Sequence, residues 1–104
     1  MDLAPGILAR LERLAAVRIK LLPVPQIATH FVFERDGYLA LADRREGGFG
    51  SVGSPGRMTE NGFAPLVERA AGPVFLAKGH EEPASSEEAA AARAFLADLK
   101  SALA

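Results

Sequence analysis

His30 and Asp43 are the two residues of this sequence best placed to do chemistry together. They bracket two stretches rich in β-branched and aromatic residues, and Asp36-Gly37 lies midway between them. Asp-Gly is a favoured two-residue hairpin turn, and counting outward from it puts His30 opposite Asp43. Cross-strand neighbours have Cβ atoms about 5 Å apart, which allows an imidazole–carboxylate hydrogen bond. Such a pair can orient a general base or a metal ligand, although a structural pair is the simpler interpretation.

A glycine-rich stretch with arginines on both sides suggests a second kind of site. The run from Gly48 to Gly53 fits the G-x-G-x-x-G pattern, whose backbone amides can approach phosphate groups. The following Ser54-Pro55-Gly56 blocks the helix that a dinucleotide site needs, so we interpret the run as a turn or a kinked strand. The nearby arginines still predict a local anion patch. The candidate ligand-binding residues are therefore His30, Asp43, Arg44, Arg45 and Arg57.

Other catalytic arrangements find little support in the sequence. His80-Glu81-Glu82 could join His30 in a two-histidine, one-carboxylate metal site, but the spacing is not a recognised one, and a solvated loop is the simpler interpretation. The chain has no cysteine, which excludes disulfides, thiolate nucleophiles and cysteine-ligated metals. No serine lies in a nucleophile-elbow pattern. We therefore predict no catalytic residues, no metal and no cofactor, and we favour a non-enzymatic function.

Charge and hydropathy exclude two further classes of partner. Twelve Lys and Arg residues face 13 Asp and Glu residues, a net charge of −1. A nucleic-acid-binding domain usually carries a basic excess, so we expect no nucleic-acid partner. No stretch approaches the roughly 18 apolar residues of a membrane span, so we expect no membrane association. The start of the chain lacks a signal-peptide pattern, which favours a cytoplasmic location.

The elements that must position these residues fit one domain over 1–104, since the chain has 104 residues. Apolar spacing predicts a helix over about 3–21 and a capped helix over 86–103. Between them lie the hairpin 29–43, a possible short strand at 49–52, a loop over 57–62, and strands over 63–69 and 74–78. The expected fold is α+β: an N-terminal helix, an antiparallel meander of four to five strands and a C-terminal helix. Both helices would pack on one sheet face.

The hairpin register places apolar residues on both faces of the sheet. Two helices of this length would cover one face only, so a partner should cover the other. The leading hypothesis is therefore a protein that forms a homodimer or binds another protein. The sequence does not decide which face is the core, so the candidate interface residues are Val32, Leu39, Leu41, Phe31 and Phe33. The alternative is a small-molecule or anion-binding protein, with or without weak catalysis, at the sites above.

Overall fold

An eight-stranded antiparallel sheet carries both helices on one side. The computed structural model describes residues 5–23, 29–46 and 48–104. The elements in chain order are α1 (Pro5–Ala16), β1 (Lys20–Leu22), β2 (His30–Arg35), β3 (Tyr38–Arg45), β4 (Gly48–Val52), β5 (Gly56–Thr59), β6 (Gly62–Arg69), β7 (Gly72–Ala77), β8 (His80–Pro83) and α2 (Ser86–Leu103). The strands run in the order β1-β2-β3-β5-β6-β7-β8, with β4 paired to the far part of β3. The α+β class is confirmed, but the sheet is a curled half-barrel with eight strands instead of four to five.

The central hairpin has the predicted turn and register. Asp36 and Gly37 have positive φ angles of 53° and 88°, as a type I′ turn requires. The pairs run from Arg35↔Tyr38 to His30↔Asp43 without a shift. Alternation along the strands therefore puts Phe33 on one face and Val32 on the other.

The first helix ends earlier than predicted, and a strand takes its place. Arg18 adopts a left-handed conformation with φ of 62°, and the amide of Ile19 donates to the carbonyl of Leu14 at 2.9 Å. This is a Schellman motif, and its usual apolar contact is present because Leu14 and Ile19 share the core. The chain then leaves the helix and forms β1. The predicted start at Leu3 lies outside the described residues.

Two strands lie where the sequence predicts loops. β5 occupies 56–59, which overlaps the start of the loop predicted over 57–62, and pairs with both β3 and β6. β8 follows a turn at Lys78-Gly79, where both residues have positive φ. Its charged sequence carries no apolar alternation, which is why it reads as a solvated loop. β4 confirms the short glycine-weakened strand at 49–52, with a bulge in its pairing to β3.

The core lies between the helices and one face of the sheet. Its larger cluster brings together Leu14 of α1, Phe95 and Leu99 of α2, and Phe33 of β2. A smaller cluster under β6 and β7 is built on Ala64, Phe75 and Ala77. Both helices therefore pack on the same face, as the sequence predicts. The Cα extents of 47 × 26 × 19 Å fit two layers in the thin direction, since stacked layers lie about 10 Å apart.

Candidate functional site

The predicted His30–Asp43 pair forms at the far end of the central hairpin. Nε2 of His30 lies 2.9 Å from Oδ1 of Asp43, and Nδ1 lies 2.8 Å from the hydroxyl of Thr29. Because a carboxylate only accepts hydrogen bonds, Nε2 carries a proton and donates to Asp43, while Nδ1 shares a second hydrogen bond with the Thr29 hydroxyl. Arg45 contacts the other Asp43 oxygen at 3.3 Å. This hydroxyl–imidazole–carboxylate chain fixes the orientation of the ring.

The His30–Asp43 pair borders a cleft at the edge of the sheet. β1 ends at Leu22, opposite Val32, whereas β2 begins two residues earlier at His30. The described residues at this edge leave a cleft with a volume of about 220 Å³. Its walls are mostly apolar, with two cationic or titratable side chains, and are formed by Leu21, Leu22, Pro23, His30, Phe31, Val32 and Arg44. The cleft therefore combines an apolar lining with a positive charge.

Arg44 and Arg45 are neighbours with different surroundings. The guanidinium of Arg44 lies 4.2 Å from the centre of the Phe31 ring, in a cation–π contact. Within the residues that the structure describes, Arg44 makes no salt bridge, whereas Arg45 pairs with Asp43. The Arg44 amide donates to the carbonyl of Thr29 at 3.0 Å, which fixes the backbone at the mouth of the cleft. Of the two arginines, Arg44 is the one that lines the cleft.

Arg57 lies in a different part of the molecule. It stands beside Tyr38, six residues along β3 from Arg44, which corresponds to about 20 Å. Its guanidinium donates to Glu82 and Glu88 at 2.7 Å each and lies 4.3 Å from the Phe75 ring centre. The structure therefore separates Arg57 from the other ligand-binding candidates. Its contacts tie β5, β8 and the start of α2 together.

Two titratable groups beside Arg57 have perturbed pKa values. Burial raises the pKa of Tyr38 above its usual 10.0, and the negative charge of Glu88 raises it further. The pKa of Glu88 is lowered, mainly because its carboxylate accepts a hydrogen bond from the Ser85 amide. Glu88 and Ser85 together form the predicted capping box of α2. Burial, the α2 capping box and the neighbouring charges therefore account for both shifted pKa values.

The second histidine does not join the first. His80 begins β8, five strand spacings from β2, which is about 24 Å along the sheet. The carboxylates of its neighbours Glu81 and Glu82 form salt bridges with Arg69 and Arg57, respectively. Among the described residues, no three histidine or carboxylate side chains cluster so as to hold a metal ion. No described helix is both long and apolar enough to cross a membrane.

The sheet face opposite the helices is apolar over most of its width, and we call it the open face. Register and alternation assign to it eleven apolar residues: Leu22, Val32, Leu39, Leu41, Met58, Phe63, Pro65, Val67, Val74, Leu76 and Pro83. Neither core cluster contains any of them. Met58 is 63% exposed. Pro83 is also exposed, Val32 and Leu39 are buried, and the other seven residues are partly buried. The open face is therefore a partly exposed apolar surface that neither core cluster includes.

The five predicted interface residues divide between the two faces. Val32, Leu39 and Leu41 belong to the open face. Phe33 is fully buried under the helices, and Phe31 packs against the same core, so neither belongs to that face. The sequence analysis missed the contributions of β5, β6 and β7. The sequence contains the pattern that predicts the β6 contribution, because every residue from Phe63 to Val67 is apolar. A strand over these residues places apolar side chains on both faces of the sheet, as the central hairpin does.

Comparison with family models, with characterised proteins and with solved structures finds no match for this chain.

Proposed function

We propose that this protein is an association module, and that its open face pairs with the open face of a second copy. The observation that carries the proposal is the run of eleven apolar residues on a sheet face that neither helix covers. An antiparallel sheet facing water normally presents polar residues on that side. Nine of the eleven residues are partly or largely exposed, and contiguous apolar patches in contact with water mark interaction sites.

The charges around the open face favour a second copy as the occupant. Lys20 lies directly opposite Glu34, His30 pairs with Asp43, and Arg69 pairs with Glu81 at 2.7 Å. Two of these pairs, Lys20–Glu34 and Arg69–Glu81, join groups of opposite sign, and the third pairs a carboxylate with an imidazole; all three lie on the same face. The whole chain has a net charge of only −1. Two copies therefore meet without like-charge repulsion, and a two-fold dimer is the commonest symmetry for such a contact.

The sheet edges are less suited to association than the open face. β1 has three residues, and β8 is charged and ends at Pro83. Short strands, charges and prolines are the features that block pairing between sheet edges. If Pro83 on the outermost strand is left out, the apolar residues of the open face lie on six neighbouring strands. At the usual spacing between strands this face is about 24 Å wide. The open face extends about 15 Å along the strands, so its area approaches 400 Å². This area suits the apolar centre of a standard interface of about 800 Å² per partner.

Native mass spectrometry and sedimentation of the purified chain test the proposal directly. We expect a particle of about 22 kDa, twice the 11.0 kDa of the chain. The variant Met58→Glu places a charge on the open face, and we expect it to be monomeric at the same concentration. Met58 is 63% exposed, so the substitution should leave the fold intact, and circular dichroism checks this.

Leu8→Glu is the matched control. Leu8 is 49% exposed on α1, away from the open face, and the substitution is the same kind of apolar-to-acidic change. We expect this variant to remain dimeric. A wild-type chain that stays monomeric at high concentration would contradict the proposal. Loss of the dimer in Leu8→Glu but not in Met58→Glu would place the contact on the helices instead.

A further inference from the structure

We propose that the cleft beside His30 binds a small apolar carboxylate, with Arg44 as the residue that holds the carboxylate group. The cleft lies at the edge of the sheet between β1 and β2 and shares Leu22 and Val32 with the open face, whereas Leu21, Pro23, Phe31 and Arg44 lie outside that face. Three observations carry the inference: the volume of the cleft, the composition of its walls and the state of Arg44.

The volume sets the size of the ligand. At about 220 Å³ the cleft is smaller than the pockets of drug-sized ligands, which start near 300 Å³. Small organic molecules occupy roughly 20 Å³ per non-hydrogen atom at the packing density of protein interiors. The cleft therefore accommodates about ten such atoms. A six-carbon fatty acid or a benzoate fits this limit, whereas a nucleotide does not.

The walls set the chemistry of the ligand body. Five of the seven lining residues are apolar: Leu21, Leu22, Pro23, Phe31 and Val32. Leu21 is 38% exposed although it is a large apolar residue, so a ligand would remove its side chain from water. Burial of apolar surface is the main source of affinity for a ligand of this kind. The lining therefore favours an alkyl or aryl group over a sugar or a polyphosphate.

Arg44 sets the charge of the ligand. Its guanidinium stacks on Phe31, which restricts the side chain, and it has no carboxylate partner within the described residues. A stacked guanidinium presents its donors in a fixed fork that matches a carboxylate. Asp43, the acidic residue next to Arg44 in the sequence, has both oxygens engaged, by His30 and Arg45. A ligand carboxylate at Arg44 therefore meets a donor whose charge is not already matched.

Titration with hexanoate, followed by NMR chemical shifts, tests the proposal. We expect saturable shifts at Leu22, Phe31 and Arg44. Hexylammonium and hexanol have the same chain without the carboxylate, and we expect both to bind at least tenfold more weakly. Arg44→Gln should weaken hexanoate binding at least tenfold, as the loss of a charge-assisted hydrogen-bond pair predicts.

Arg93→Gln is the matched control, because Arg93 is an exposed arginine of α2 that does not line the cleft. We expect it to bind hexanoate within about twofold of wild type, since a change at an exposed side chain outside the cleft has a small effect. Met58→Glu should also bind hexanoate, which would show that binding in the cleft does not require the dimer. The proposal is overturned if hexanoate does not bind, if Arg44→Gln binds as well as wild type, or if the three probes bind equally.

Discussion

Tyr38 is the residue at which the two parts of the core meet. Its ring packs against both the larger cluster under β2 and β3 and the smaller cluster under β6 and β7. Arg57 faces it across the β3–β5 pair, and the Glu88 charge raises its pKa in addition to burial. The pKa of this single side chain therefore reports on the packing of both clusters and on the ion pair between Arg57 and Glu88.

A spectrophotometric titration of Tyr38 should give a midpoint above the usual 10.0 in the folded protein. The chain has one tyrosine and no tryptophan, so the near-ultraviolet signal belongs to Tyr38 alone. Because folding raises this pKa, the stability that the neutral phenol contributes is present below the unfolded pKa and is lost as pH rises through the folded one. Titration in guanidinium supplies the unfolded reference.

Glu88→Gln should lower the Tyr38 midpoint toward 10.0, because it removes a negative charge that opposes ionisation. Glu87→Gln is the matched control, since Glu87 lies in the same first turn of α2 and does not act on Tyr38. An equal shift in both variants would contradict a specific effect of Glu88.

At the scale of the elements, α2 shows how the sequence prediction and the structure differ. Leu96 and Leu99 both follow the helical period of apolar residues that predicts this helix, so the sequence does not distinguish them. In the structure Leu99 is fully buried, whereas Leu96 is only partly buried. The two positions differ in how α2 packs in the fold, which the spacing of apolar residues does not show.

Leu99→Ala should lower the free energy of unfolding by about 2–5 kcal/mol, because it leaves a cavity in the core. Leu96→Ala removes the same atoms from the same helix, and we expect less than half that loss. Urea denaturation of the two variants under the same conditions measures both. Equal losses would mean that the α2 face toward the sheet is assigned wrongly.

The strands that the sequence predicts are those whose turns have specific chemistry. Asp36-Gly37 fixes the hairpin register and thereby the His30–Asp43 contact, so this part of the candidate site is predictable residue by residue. The end of α1 depends on Arg18 in a conformation that usually requires glycine, and nothing in the sequence marks it. The cleft could not be predicted, since it exists only because β1 replaces the end of that helix.

At the scale of the whole molecule, the sheet consists of two ladders that meet at Pro65. The pairs with β5 extend from Gly62 to Pro65, and the pairs with β7 begin at Leu66. Proline in a sheet is confined to edges and bulges, and Pro65 lies where β6 changes its partner. Each of the two core clusters packs against one of the two ladders. The guanidinium of Arg57 on β5 stacks on the ring of Phe75 on β7 and so links the two ladders.

Gly56→Ala should destabilise the protein by about 1–3 kcal/mol, the usual cost of overpacking. An added Cβ would lie 2.1 Å from the carbonyl oxygen of Ala64, which is backbone, so strands β5 and β6 would have to separate. At Gly53 the nearest atom would lie at an ordinary 3.8 Å, so Gly53→Ala should change stability by less than about 0.5 kcal/mol. Thermal unfolding compares the two, and equal melting temperatures would show that β5 and β6 are not held this closely.

The neighbour-to-neighbour order of the strands also bears on how the chain folds. Each pair in the sheet joins strands that are close in sequence, so each closes a short loop at a small entropic cost. The contacts of Arg10 and Arg13 with the carbonyls of Leu103 and Ala102 instead join residues about 90 positions apart. Contacts of high sequence separation limit folding rates. The hairpins can therefore assemble early, and the docking of the two helices against each other becomes the slow, committing event.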